Sequence, residues 1–403
     1  MVSSANLPVN LNAGRDMVAI PGPSIMPERV LSAMNKPMPD IYSGDLVDAS
    51  DEIFAQLPGL VGTTGHPFIV IANGHGAWQM AISNTLARGD TVLALESGRF
   101  AVIWGEMAAV SGVKTEVLPG ADNGPVDPAA LQARLTDDPG HEIKAILVVQ
   151  TDTATSVRND IPALRAAIDA AEHPALLMVD CIASLGCEPF HMDDWGVDLT
   201  VAGSQKGLMV PPGLGFLWAG EKAMAAYERS DIRVGYLDWS RRMNHTHHYE
   251  LYSGTPPVSH LYGLREALTM IAEEGLEARW NRHQALAEAV WAAVDAWSTD
   301  GGIRLNIADP AHRSTAVTTV LTGSIDADEL RRICADDAGL IVGLGIGDFG
   351  GRAFRIGHMG YLNPPMLLGT IGTLEAGLVS MGAPIGGSGV AAAARSLSRY
   401  IGR

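Results

Sequence analysis

Residues 201–220 read VAGSQKGLMVPPGLGFLWAG, and the fold follows from how this stretch divides. An apolar run at 199–202 leads in, and a second at 214–218 leads out. Both are short, continuous and apolar, as buried strands are. Between them Lys206 stands beside Gly203, Ser204 and Gln205, and Pro211-Pro212-Gly213 follows. A lysine held by rigid backbone between buried strands is screened from water. Screening disfavours the ammonium and makes the amine a nucleophile toward carbonyl carbon. The chain holds only five lysines: Lys36, Lys114, Lys144, Lys206 and Lys222. Lys36 lies in an Asn-Lys-Pro turn. The other three sit at polar edges, where a long stem carries a solvated head. Only Lys206 has apolar runs on both sides; the competing reading is a lysine that merely solvates a loop.

Upstream, strand and helix patterns alternate. Residues 68–72 (FIVIA), 91–95, 115–118, 145–150 (AILVVQ) and 175–180 (ALLMVD) read as strands. Residues 77–86, 99–111, 128–135 and 161–171 read as the helices between them. This predicts an α/β fold with a mostly parallel sheet covered on both faces. Residues 36–50 read as a loop, and 51–57 as a helix ending before Pro58-Gly59. Helical spacing dominates 258–296, and 300–383 reads as a smaller α+β unit with a helix at 327–335 and a strand at 353–356. The expected organisation is an arm at 1–18, a large domain at 19–285, a small C-terminal domain at 286–383 and a tail at 384–403.

With 403 residues, 47% of them apolar, two domains are the default expectation. The net charge of −17 argues against a nucleic-acid partner, which needs clustered Lys and Arg. Cys181, Cys187 and Cys334 are too few and odd in number for a disulfide framework and suit a reducing compartment. The first residues carry no basic region followed by an apolar core, and no uncharged apolar run is membrane-length. These features lead to the expectation of a cytoplasmic protein that binds no membrane.

In an open α/β sheet, ligands sit beyond the carboxyl ends of the strands. FIVIA ends in Asn73-Gly74-His75-Gly76 at a helix start, where backbone N–H groups cradle anions. Residues 91–95 lead to Glu96-Ser97-Gly98-Arg99-Phe100, which offers an aromatic face. AILVVQ leads to Thr151-Asp152-Thr153-Ala154-Thr155, and ALLMVD ends in Asp180. A phosphate cradle, a ring, hydroxyls, a carboxylate and a screened lysine on one rim are the set that pyridoxal phosphate needs. Taken singly, Asp180 reads as a helix cap and His75 as a turn residue; the combination carries the inference.

Two patterns compete. Gly345-Ile346-Gly347-Asp348-Phe349-Gly350 fits G-x-G-x-x-G, but a strand-like segment follows it, and residues 366–370 hold no acid where a dinucleotide site needs one. It reads as a glycine-rich hairpin. His245, His247 and His248 lie in a polar loop without the spacing of a metal site, so no metal is expected.

The chain resembles class V, fold-type I aminotransferases that use pyridoxal phosphate, in particular the alanine–glyoxylate and serine–pyruvate group. The resemblance runs from about residue 20 to 382 and rests on AGSQKGLMVPPG, MVDCIASLGCEPFHMDDWGVD, PGPSIMPERVLSAM and FRIGHMGYL. It implies a large domain on a seven-stranded, mostly parallel sheet and a smaller C-terminal domain. Lys206 matches the lysine that joins the cofactor aldehyde, and Asp180 the partner of its ring nitrogen. Gly74, His75 and Gln205 match the phosphate-binding residues. Phe100 stands where the family stacks a tryptophan, and Thr153 where it has a serine. Tyr252 and Thr255 match a Tyr-x-x-Thr motif that reaches the neighbouring subunit's phosphate, which implies a homodimer with shared sites. Arg355 matches the arginine that binds the substrate α-carboxylate, and a planar guanidinium suits that task. Gly22, in PGPSIMPERVLSAM, is counted with it as substrate-binding.

The activity implied is a ping-pong transamination between alanine or serine and glyoxylate or pyruvate. Aspartate, ureidoglycine or pyridoxamine are alternative donors. His358 resembles the residue of relatives that use serine or aspartate, and Arg99, Arg241 and Arg242 are candidates for a second carboxylate. The rival classes are a nicotinamide dehydrogenase, resting on residues 345–350, and a cysteine desulfurase, which needs a reactive cysteine on a mobile loop.

Overall fold

A computed structural model describes residues 11–121, 123–299 and 302–402. Residues 1–10 of the expected arm therefore lie outside the described residues. The strands are β1 (Met17–Ala19), β2 (His66–Ala72), β3 (Thr91–Leu95), β4 (Lys114–Leu118), β5 (Ile143–Val149), β6 (Leu176–Asp180), β7 (Leu199–Gly203), β8 (Gly213–Ala219), β9 (Arg304–Leu305), β10 (Val317–Leu321), β11 (Leu340–Leu344) and β12 (Ala353–Gly357). Seven of them form one sheet in the order β2-β8-β7-β6-β5-β3-β4. All neighbours pair in parallel except β8, which runs antiparallel to both β2 and β7.

Every residue of β6 and β7 is buried. Such strands can exist only with both faces covered, and two apolar clusters cover them. One includes Leu93, Ile146, Val148, Leu177 and Val179; the other includes Val92, Leu147, Met178, Val201 and Leu217. Alternate residues of one strand thus feed opposite layers, as the period of two demands. Each such Leu, Val or Met contributes roughly 1.5–3 kcal/mol on burial.

The register brings the chemistry-bearing strand ends level. Val149 lies opposite Asp180, and Asp180 opposite Val201. Because β8 runs backwards, β7 joins it through 204–212 on the same rim, and Lys206 sits on that link.

Two expected boundaries shift. The helix Asp45–Val61 starts within the expected loop and continues past Pro58. Asp45 and Asp48 in its first turn favour the start. Leu57, Leu60 and Val61 are buried on its inner side, which offsets the backbone bond that proline removes. The helix Gly74–Thr85 begins three residues before the expected 77, because the Asn73 side chain accepts from the His75 N–H and caps it there.

The second sheet has the order β1-β11-β12-β10-β9. β1 pairs in parallel with β11, Met17 opposite Leu340. β11 and β12 are antiparallel neighbours, so residues 345–352 between them are a hairpin link that carries a single 3-10 turn, Gly347–Phe349, and no α-helix. The helix Leu276–Trp297 passes through position 285 without a break. Its later residues Leu286, Val290, Val294 and Trp297 belong to the core of the second sheet.

Candidate active site

Lys206 follows β7 on a loop that Ser204 closes. The Ser204 hydroxyl donates to the Pro211 carbonyl at 2.6 Å, and the Val210 N–H donates to the Ser204 carbonyl at 3.0 Å. The Lys206 carbonyl accepts from the Ser24 hydroxyl at 2.7 Å, and its Nζ donates to the Pro21 carbonyl. Gly22 completes this contact. Its φ is +92°, and a Cβ there would lie 2.4 Å from Lys206 Nζ. Only glycine serves at such a position. Burial, helped by the charge of Arg355, pulls the Lys206 amine down to about 8, and Asp180 opposes the shift.

Asp180, the last residue of β6, is buried. The Trp78 indole N–H donates to its Oδ2 at 2.9 Å and the Ile182 N–H to its Oδ1 at 2.6 Å. Burial still pushes its carboxyl up to about 7, with the nearby charge of Asp152 adding to the rise. Trp78 is held in turn. It stacks on Trp104 at 5.7 Å between centroids, and the His75 ring meets its edge at 4.5 Å. His75 itself is exposed, and what burial it has lowers its pKa. Gly74 is buried; a Cβ there would run into Ile182.

Gln205 carries a buried Oε1 with no hydrogen-bond partner. A buried amide without a partner is costly and marks a place where a bound group completes the bonding. Rotating the terminal amide exchanges its oxygen and nitrogen, so the same position can offer a donor.

Arg355, on β12, is buried. Its Nε donates to the Leu344 carbonyl at 2.7 Å and its Nη1 to the Thr153 carbonyl at 2.8 Å. Its Nη2 has no hydrogen-bond partner among the described residues. Burial lowers the guanidinium to about 10, against the pull of Asp152. Thr153, itself buried, thus joins the site through its backbone. Phe100 opens the helix Phe100–Val110; its N–H donates to Asp152 Oδ2 at 2.8 Å and its ring is half-buried.

Asp180, Lys206, Gln205, Gly22, Gly74, His75, Phe100, Thr153 and Arg355 therefore gather on one rim, joined through Trp78, Asp152 and Pro21. Tyr252 is placed differently. It is fully buried, and its hydroxyl bonds the Ser50 hydroxyl at 2.8 Å within its own chain. A reach toward a neighbouring subunit would require that bond to break. Thr255 is exposed, three residues before the helix Val258–Glu274.

His358 is buried with both nitrogens committed. Nδ1 faces the Thr315 carbonyl at 2.9 Å, so it carries the proton, and Nε2 accepts from the Thr318 hydroxyl at 2.9 Å. Burial pushes it down to about 4. A neutral ring with both nitrogens bonded inside the protein has no free donor or acceptor to offer a ligand. Arg242 is also committed, to the carbonyls of Ile69, Leu251 and Tyr236. Arg241 and Arg99 are exposed. Arg99 lines a cavity of about 840 Å³ with Arg304 and Arg352, and makes no ion pair among the described residues. Among those residues no group of three or more His, Cys, Asp or Glu could hold a metal. All three cysteines are buried, and burial pushes the thiols up, contrary to what a reactive cysteine needs.

Sequence reasoning missed Trp78, Asp152 and the Pro21 carbonyl. For Trp78, the available signal was its spacing of three from His75 on one helix face.

The family described as Aminotransferase class-V matches residues 46–346. The chain is 41% identical to a serine–glyoxylate aminotransferase of Methylorubrum extorquens, over 95% of this chain and 96% of that one. It is 38% identical to an L-aspartate–glyoxylate aminotransferase of Paracoccus denitrificans, over 93% and 94%. The structure of ureidoglycine–glyoxylate aminotransferase from Bacillus subtilis superposes with a TM-score of 0.86 at 25% identity, covering 98% of this chain and 100% of that one.

Proposed function

The chain belongs to the class V aminotransferases, and from that premise we propose that it transfers the amino group of serine or alanine to glyoxylate or pyruvate, with pyridoxal phosphate as cofactor. The observation that carries the reading is the pair Lys206 and Asp180. One rim holds an amine lowered to about 8 and a buried carboxyl raised to about 7. Both shifts are costs of burial that an aldehyde joined to the amine and a cationic ring beside the carboxyl would relieve. The unpartnered Gln205 amide and the N-terminus of the Gly74 helix suit the phosphate.

When bound, the cofactor supplies an electron sink for the pair left at the amino acid's Cα. The chain supplies the rest. Arg355, pinned by two carbonyls, turns its remaining N–H groups to the substrate α-carboxylate. Lys206 Nζ, largely screened and with its pKa lowered to about 8, takes the proton from Cα and holds it for return. Asp180, oriented by Trp78, would hold a negative charge beside the cofactor's cationic ring. Pro21 and Gly22 pack on the Lys206 side chain and exclude water from it.

A second reading, aspartate as donor, is supported by the 38% identity to the L-aspartate–glyoxylate aminotransferase of Paracoccus denitrificans. We further propose a homodimer, for which the exposed Thr255 is the group able to reach a neighbour, and a cytoplasmic setting, supported by three free cysteines. No helix among the described residues is long and apolar enough to cross a membrane.

The test is twofold. Borohydride added to the protein with pyridoxal phosphate is expected to leave the cofactor's mass on the peptide containing Lys206. A panel of amino donors, each mixed with that protein in the absence of 2-oxo acid, identifies the donor by the oxo acid it releases. No adduct at Lys206 removes the reading; aspartate outrunning serine and alanine selects the second donor.

A further inference from the structure

The first turns of the helix Leu276–Trp297 hold three parts of the active rim at once. Arg279 is buried, 2% exposed. Its Nε donates to the Gly186 carbonyl at 2.8 Å and its Nη2 to the Gly207 carbonyl at 2.7 Å. Gly207 follows Lys206 directly, and Gly186 lies on the loop that leaves Asp180. The two loops already press together: a Cβ on Gly207 would sit 2.0 Å from the Leu185 carbonyl. The third edge of the guanidinium is oriented by Glu274 at 3.0 Å. One turn on, His283 Nδ1–H donates to the Arg279 carbonyl, and its Nε2 accepts from the Gly360 N–H at 3.1 Å. Gly360 closes over Ser24 and the Lys206 carbonyl; a Cβ there would lie 3.0 Å from Ser24 Oγ and 3.4 Å from that oxygen. Arg282 grips Glu274 and the carbonyls of Gly360 and Leu362. Gly360 stands a few residues beyond Arg355.

We propose that Arg279 is a positioning residue for Lys206: by binding the carbonyls of Gly186 and Gly207 together, it fixes the Lys206 loop against the Asp180 loop and keeps the amine in its dry setting. A cation is suited to this because one planar fork can satisfy two carbonyls from different loops in fixed relative orientation, which a single-point donor cannot. Burying a guanidinium is costly, and here the cost is set against two charge-assisted bonds, one to the backbone of each loop, and one to Glu274. The inference rests on the reading of Lys206 as the reactive amine.

The experiment measures the Lys206 amine itself. Full-length protein free of pyridoxal phosphate is labelled with acetic anhydride across a pH series, and acetylation of each lysine is read by mass spectrometry. The charged and titratable groups facing Lys206 are Asp180, Arg355 and Cys187, and all stay in place in the variants. In the parent, the Lys206 midpoint is expected at about 8, below the 10.5 of an ordinary lysine. In Arg279→Gln the loosened loop admits water, and the midpoint rises by about one pH unit. Arg279→Lys, keeping the charge but one contact, is expected to fall between. Glu274→Gln, at a half-buried position, removes the carboxylate that orients Arg279 and that Arg282 also grips, leaves both Arg279 bonds to the loop carbonyls in place, and should move the midpoint the same way by less. It decides the matter if the Arg279 variants do not fold. Midpoints unchanged in the folded variants, whatever their loss of thermal stability, overturn the proposal. A parent in which Lys206 titrates like the surface lysines overturns the reading beneath it instead.

Discussion

The indole N–H of Trp78 donates to Oδ2 of Asp180 across 2.9 Å, joining the helix Gly74–Thr85 to the carboxyl end of β6. The bond does two things. It favours the ionised carboxylate in a place where burial disfavours it. It also leaves one lone-pair direction of Oδ2 already taken, so a ring nitrogen must approach from the open side.

Trp78→Phe keeps the stack on Trp104 and removes the donor. A hydrogen bond to a buried charged group is worth about 1.5–3 kcal/mol. Affinity for pyridoxal phosphate, measured by titration, should therefore fall by about 10- to 100-fold. Undiminished affinity would show that Trp78 only packs.

Asp180→Asn should stabilise the cofactor-free protein at pH 8 while removing activity. The folded carboxyl sits at about 7, above the 3.8 of an unstructured aspartate. Between those values the unfolded chain has released a proton that the folded chain still holds. Stability from this group is therefore present at low pH and lost as pH rises from about 4 to 7. Asparagine does not ionise and escapes the loss. Urea unfolding should show parent and variant alike near pH 4, and the variant ahead by on the order of 2–4 kcal/mol at pH 8. A variant weaker than the parent at pH 8 contradicts the argument.

Gly22→Ala forces a side chain onto Lys206 Nζ, Cε and Cδ at 2.4–2.5 Å, at a φ of +92°. The strain should cost about 1–3 kcal/mol. Because Lys206 must move aside, borohydride trapping of pyridoxal phosphate should slow more than the melting temperature alone accounts for. Normal trapping in a destabilised variant would place the contact outside the chemistry.

Arg355→Lys leaves a charge but cannot span the Leu344 and Thr153 carbonyls and the substrate together. KM for the amino donor should rise about 10- to 100-fold, with kcat changed less, since a charge-assisted bond worth about 1.5–3 kcal/mol is lost from bound substrate. A fall in kcat alone would assign Arg355 to positioning Thr153.

The alternation of strands and helices was legible because parallel strands buried on both faces are uninterrupted apolar runs. Lys206 was legible because its neighbours on both sides are such runs. The direction of β8 was not, since an apolar run carries no sign of which way it points. Pro58 misled because the buried Leu60 and Val61 beyond it outweigh the proline's own preference. Tyr252 reads as an active-site residue by its motif, yet its partner Ser50 is 202 positions away, beyond any local pattern. Asp152 and Arg279 make their contacts across separate elements, which only the folded chain displays.

The reversed strand β8 has one more consequence. After β2, β3, β4 and β5 the rim loops are followed by crossover helices, and an added or lost residue there can be absorbed by a change in helix length. The Lys206 link is a bare hairpin between adjacent strands, tied at Ser204, Val210 and Leu214, with no such slack. Its length is the molecule's least negotiable dimension, and descendants of this chain would be free to change what they bind by altering every other rim loop first.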